Sequence, residues 1–207
     1  MFQYLCEHPE ISGSNPKETH YYDSYYDNGI DYYKARFNAN GERYIVEATP
    51  HYLVRDWVPE RLKADIDDPK FIVLLRDPVE RVWSHYCRRR MCKDVDFGDM
   101  TDTSIEPYQQ GLYAQHLKLW FTHFKRDHFM IYPSEAFYIL TGKVMKNIFW
   151  KLDLYAIEHK HYPVVDPCAG VGREKFPMPE DIREIAEDFY RKPNQELYDL
   201  LGVDYGW

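Results

Sequence analysis

Short apolar runs alternate with longer stretches of helical spacing along most of this chain. The clearest run is Phe71 to Leu75, five apolar residues bounded by turn formers, and it predicts a buried strand. Tyr44 to Ala48 predicts a second strand, ended by Thr49-Pro50, and Phe129 to Tyr132 a third. Between them, apolar and aromatic residues recur at helical spacing. Ile30, Tyr33 and Phe37 mark one helix, residues 56–65 another, and 78 to about 93 a third with Pro78 in its first turn. A helix near Gln110 carries Tyr113, Leu117, Trp120 and Phe124 as a core stripe. Residues 1–7 read as the end of a helix stopped near His8-Pro9, and Ser134 to about Trp150 as a helix with Gly142 as a candidate break. A final helix begins after Pro179, where Glu180 and Asp181 suit the positive N-terminal end. Turns are expected at Asn15-Pro16, Asp27-Asn28-Gly29 and Asp67-Asp68-Pro69. The acidic stretch 94–106 reads as a surface loop, and 153–179 is polar and proline-bearing.

Strands separated by helices predict an α/β domain with a mainly parallel sheet, and the length predicts a single domain over 1–207. Ligands of such sheets sit beyond the carboxyl ends of the strands. Arg76 lies at such an end, and so do Glu47 and the Thr49-Pro50 turn.

The segment KFIVLLRDPVERVWSHYCRRR therefore carries the strongest chemical signal. An arginine at a strand end, with Ser84 on the following helix, suits a grip on a phosphate. An ordinary strand–turn–helix, with Arg76 paired to Glu80 for instance, fits the same residues, and both readings stay open. Arg88, Arg89, Arg90 and Lys93 either meet an acidic sugar polymer or form a solvated face neutralised by Asp94, Asp96 and Asp99.

Composition narrows the classes. With 19 Tyr, 11 Phe and 5 Trp the chain is no disordered tail. A net charge of −8 argues against nucleic-acid binding through the whole surface. Cys6, Cys87, Cys92 and Cys168 form no CxxC pair, so free thiols are expected. Among the 9 histidines, His123, His128, His159 and His161 lack a ligand set with acidic partners, and no metal is expected. No run approaches the roughly 20 apolar residues of a membrane span. The start MFQYLCEHPE has neither a basic segment nor a long apolar core, so no signal peptide is expected.

Several segments, taken in order, carry a family likeness. They are HPEI…NPKETHYYD, NGIDYYKARF, VEATPHYL, LLRDPVERVWSHY, GLYAQHLKLW with the later Glu135, CAGVGREKFP and FYRKPNQELYDLLGVDYGW. Together they resemble the sulfotransferase family, specifically the Golgi carbohydrate sulfotransferases. The resemblance implies a P-loop-NTPase-like α/β fold, and sulfate transfer from 3′-phosphoadenosine 5′-phosphosulfate (PAPS) to a carbohydrate hydroxyl. It places Arg76 and Ser84 on the donor's 3′-phosphate, and Gly172 and Arg173 in a loop over the nucleotide. Glu18 becomes the catalytic base, with His20 orienting the acceptor or polarising an oxygen. Of the basic cluster, Arg88, Arg89 and Lys93 are, on charge pattern, the candidate contacts for a glycan acceptor. A Golgi lumenal or secretory setting is implied as well.

Three departures accompany the likeness. The first strand and the Gly-rich 5′-phosphosulfate loop of the family are not found. Ala48 stands where several relatives have lysine, and Cys168 lacks the upstream cysteine that related enzymes pair with it. The alternative is a catalytically impaired remnant that binds nucleotide or glycan. A kinase-like phosphate enzyme is disfavoured, since no GxxxxGK[ST] loop or metal-binding acidic pair stands out.

Overall fold

The computed structural model describes residues 1–91, 100–157 and 177–207, with only the helical backbone for 89–91. The described residues gather into two compact units. One comprises 1–72, 119–130 and 136–157, and the other 73–91, 100–118, 131–135 and 177–207.

The first unit opens with helix α1 (Phe2–Cys6) and strand β1 (Ile11–Gly13). A wide helical turn at Tyr21–Tyr25 follows, then α2 (Ile30–Lys34), β2 (Tyr44–Val46) and α3 (Val58–Asp65). β1 and β2 pair in parallel, with Ile11 opposite Tyr44 and Gly13 opposite Val46. The expected strand at 44–48 ends at Val46. Glu47 and Ala48 leave the ladder because the Ala48 N–H donates to the Lys17 carbonyl at 3.0 Å. β1 is an addition: Ile-Ser-Gly has little strand propensity, and the pairing with β2 supplies the order.

Aromatic residues form much of this unit's core. Tyr21, Tyr22, Tyr33 and Tyr52 are buried and in ring contact, with Tyr21 stacked on Tyr33 at 4.9 Å. Phe71 stacks on Phe129 at 4.6 Å and meets Trp120, whose indole N–H donates to the Leu53 carbonyl. Pro50 to Val54 forms one tight helical turn.

Strand β3 (Phe71–Leu75) has the expected bounds, and β4 (Phe129–Pro133) is its neighbour in a second two-stranded sheet. In the second unit, α4 (Pro78–Met91), the short α5 (Glu106–Gln109), α6 (Tyr113–His123) and α9 (Glu180–Leu201) dominate. α6 passes from this unit into the first at Leu119. Its predicted stripe of Tyr113, Leu117, Trp120 and Phe124 is buried throughout. Val79, Val82, Met100, Tyr108, Ala186 and Tyr190 form the second unit's apolar core. α9 also contains Pro193 in its interior.

The helix expected over 134–150 is two, α7 (Ser134–Ile139) and α8 (Thr141–Lys151). The break is Leu140, with φ −121° and ψ 33°, rather than Gly142, which sits inside the first turn of α8. Cys6 is a free thiol, as expected, while Cys92 and Cys168 lie outside the described residues. Among the described residues no helix is long and apolar enough to cross a membrane.

Candidate functional site

Two groups of predicted residues emerge, one in each unit. In the first, the chain leaves β1 at Ser14, whose hydroxyl donates to the Lys17 carbonyl at 3.0 Å. This holds the start of Lys17-Glu18-Thr19-His20. Glu18 is half-exposed, ion-paired to Lys17 at 2.8 Å, and its other oxygen lies 3.6 Å from His20 Nε2. His20 Nδ1 donates to the Asp23 carboxylate at 2.9 Å, and that carboxylate is nearly buried. His20 has φ +50°, the left-handed region that a non-glycine residue seldom adopts. The next turn is wide, with the Tyr25 N–H reaching back to the His20 carbonyl at 3.1 Å. Such turns recur at functional sites.

Between Glu18 and His20, Thr19 is buried and anchors the segment. Its hydroxyl donates to Glu47 at 2.9 Å and lies 3.0 Å from the Tyr52 hydroxyl. Thr49 donates to the same Glu47 oxygen at 2.7 Å. Thr49 Oγ1 also accepts from the His20 N–H at 3.4 Å. The end of β2 thus fixes the backbone on which Glu18 and His20 sit. Burial raises the Glu47 carboxyl above its ordinary value, although hydrogen bonds from Thr49, Thr19 and Tyr52 oppose the rise. Burial likewise raises the phenols of Tyr22, Tyr33 and Tyr52.

The second group begins where β3 ends. Asp77 caps α4, accepting the Val79 N–H at 2.8 Å, and its own N–H donates to Glu135 at 3.2 Å. Burial is the largest effect on the Asp77 carboxyl and raises it. Arg76 is half-buried, and its backbone contacts the Tyr113 hydroxyl, a phenol pushed up to about 12 by burial. Ser84 is half-buried on the second turn of α4.

The carboxylate that would compete for Arg76 is engaged elsewhere. Glu80 pairs with Arg183 of α9 at 3.0 Å. Among the described residues no carboxylate pairs with Arg76, and the Ser84 hydroxyl makes no hydrogen bond. Arg81 is not available in the same way, since it donates to the Pro107 carbonyl and to Gln110.

The family described as "Sulfotransferase domain" matches residues 4–147. The chain belongs to the sulfotransferase family. Over its whole length this sulfotransferase chain is 28% identical to mouse "Heparan sulfate glucosamine 3-O-sulfotransferase 6" and spans 69% of that protein. It is 29% identical to mouse "Heparan sulfate glucosamine 3-O-sulfotransferase 3A1", of which it spans 60%. The crystal structure of a sulfotransferase from Alicyclobacillus acidocaldarius superposes with a TM-score of 0.81 at 22% identity, covering 97% of this chain and 89% of that one. The α/β sulfotransferase fold read from the sequence is therefore the observed one.

The remaining predicted site residues of this sulfotransferase chain are spread unevenly. Arg88 is exposed on α4, and Arg89 lies on the same helix. Lys93, Gly172 and Arg173 lie outside the described residues. Asp23, Thr19 and His51 were not singled out from the sequence. Asp23 had a legible signal, since it follows His20 by three positions, the spacing of one helical turn. The roles of Thr19 and Glu47 depend on a contact between distant segments, which no local spacing encodes.

Proposed function

We propose that this chain transfers a sulfuryl group from PAPS to a hydroxyl of a carbohydrate, with a heparan-type glycan as the acceptor class. The carrying observation is the pair Arg76 and Ser84, which among the described residues are a guanidinium without a carboxylate and a hydroxyl without a hydrogen-bond partner, at the end of β3 and on α4. A phosphate dianion satisfies both, and a guanidinium fork suits its geometry. Family membership and the whole-length likeness to the heparan sulfate 3-O-sulfotransferases support the same donor and acceptor classes.

In this reading Arg76 and Ser84 hold the donor's 3′-phosphate. Glu18 takes the proton of the acceptor hydroxyl as that oxygen bonds to sulfur. The bond from sulfur to the nucleotide's 5′-phosphate breaks, and 3′-phosphoadenosine 5′-phosphate leaves. His20, held by Asp23, orients the acceptor or polarises an oxygen beside Glu18. Gly172 and Arg173 line the nucleotide, and Arg88, Arg89 and Lys93 meet the glycan. A Golgi lumenal or secretory setting belongs to the same proposal.

The test joins calorimetric titration of the chain with 3′-phosphoadenosine 5′-phosphate to a radiolabelled transfer assay from PAPS to a heparan acceptor. Saturable nucleotide binding and transfer are expected. Glu18→Ala should lower transfer about 100- to 10,000-fold and leave nucleotide affinity unchanged. Full transfer by Glu18→Ala would remove Glu18 as the base. Binding without transfer would favour a nucleotide-binding protein without catalysis, and absence of both would overturn the proposal.

A further inference from the structure

We propose that His20, Asp23 and His51 form a binding site for a divalent transition-metal ion. The three residues offer one ligand atom each, and these atoms all lie within 4.8 Å of one another. Two imidazoles and one carboxylate suit zinc, cobalt or iron, and disfavour magnesium and calcium, which prefer oxygen ligands throughout.

Two of the ligands are already in place. His20 Nδ1 and Asp23 Oδ2 are 2.9 Å apart, near the spacing of two donors that share one ion at bonds of about 2.0–2.1 Å. The Asp23 carboxylate is only 5% exposed, so its direction is fixed by packing. His51 is exposed on the turn that follows Thr49, and its ring lies edge-on to His20 with 5.9 Å between centroids. A side-chain rotation of His51 completes a three-ligand set and leaves a position open for water.

The proton accounting closes within the chain. In the free protein a proton on His20 Nδ1 is donated to Asp23. An ion at Nδ1 replaces that proton, and the neutral imidazole then carries its proton on Nε2. That nitrogen faces Glu18 Oε2 at 3.6 Å, so Glu18 becomes the outer partner that orients the ligand. Occupancy therefore engages the imidazole next to Glu18. If Glu18 is the base, an ion here inhibits transfer; that consequence rests on the function proposed above, whereas binding itself does not.

The experiment titrates zinc into the metal-stripped chain and follows it by calorimetry and by the imidazole nitrogen resonances of the unmodified protein. One zinc per chain is expected, with His20 and His51 nitrogens shifting together and excess magnesium failing to compete. His51→Ala and Asp23→Asn should each weaken zinc binding by more than the roughly 10–100-fold that loss of an outer-shell partner costs. Resonance shifts confined to other histidines, or unaltered affinity in both variants, would overturn the site. The resonance measurement needs no variant, so it decides the matter even if a substitution unfolds the chain. Loss of sulfate transfer without zinc would count against the function proposal and leave this site standing.

Discussion

Gly111→Ala should destabilise the second unit by an amount that its packing sets. A Cβ at Gly111 would stand 2.5 Å from the Tyr190 hydroxyl oxygen and 2.7 Å from Cε1 and Cζ of the same ring. Carbon atoms in contact prefer about 3.5–4.0 Å, so the ring must move by roughly 1 Å. It has little freedom to do so. Tyr190 is fully buried, and its hydroxyl donates to the Tyr108 carbonyl at 2.7 Å. Overpacking of this kind costs about 1–3 kcal/mol, and disrupting the hydrogen bond adds about 1 kcal/mol. The stiffer unfolded chain of alanine returns about 0.4–1 kcal/mol. The net expectation is a loss of about 1–3.5 kcal/mol, read as a lower urea midpoint at unchanged slope. Tyr190→Phe in the same background frees the ring from Tyr108, so the double variant should cost about 1 kcal/mol less than the sum of the singles. A Gly111→Ala chain within about 0.5 kcal/mol of the parent, or strictly additive losses, would refute the reasoning.

The remaining expectations concern the two groups of site residues. Arg76→Ala should weaken 3′-phosphoadenosine 5′-phosphate binding by about 10–150-fold, the equivalent of about 1.5–3 kcal/mol for hydrogen bonds to a charged group. It should barely change binding of the analogue lacking the 3′-phosphate, and equal losses for both nucleotides would dissociate Arg76 from that phosphate. Ser84→Ala should show the same selectivity with a loss of about fivefold, from roughly 1 kcal/mol for one neutral donor. Glu47 titrates above the ordinary carboxyl value in the folded chain. Its contribution is therefore fully present below the ordinary value and declines as pH rises through the raised one. Thermal melts of the parent and Glu47→Gln across that window should show the parent falling relative to the variant as pH increases, and a pH-independent difference would contradict the buried carboxyl. Arg183→Ala removes a partly exposed ion pair with Glu80 and should cost no more than about 1 kcal/mol in urea unfolding.

What the sequence disclosed depended on how local the causes were. β3 was legible to the residue because five apolar positions stand between Pro69-Lys70 and Arg76-Asp77-Pro78, and the turn chemistry on both sides is strong. The buried stripe of α6 was legible from spacing alone. β1 was not, because Ile11-Ser12-Gly13 acquires its extended form by pairing with Tyr44–Val46. Nor was the split at Leu140, where backbone angles rather than a helix-breaking residue end α7. Among the candidate residues, Glu18, His20, Arg76 and Ser84 could be named from the sequence, but their surroundings could not. The carboxylate that anchors Thr19 lies 28 positions away, and the arginine that engages Glu80 lies 103 positions away. Long-range partners decide whether a charged group is free to act, and residue spacing does not contain that information.

The engagement of Glu80 by Arg183 bears on how the protein should be handled. Among the described residues no carboxylate pairs with the half-buried Arg76 guanidinium, so on the proposed function it accepts tetrahedral dianions of suitable size. Phosphate buffer, sulfate precipitants and ammonium sulfate carried over from purification would all occupy Arg76 and act as competitors. Apparent nucleotide affinity should then depend on the identity of the buffer anion at constant ionic strength, falling in phosphate or sulfate relative to chloride. The same anions should protect the chain against thermal unfolding. Crystals grown from sulfate would be expected to carry an ion at the end of β3.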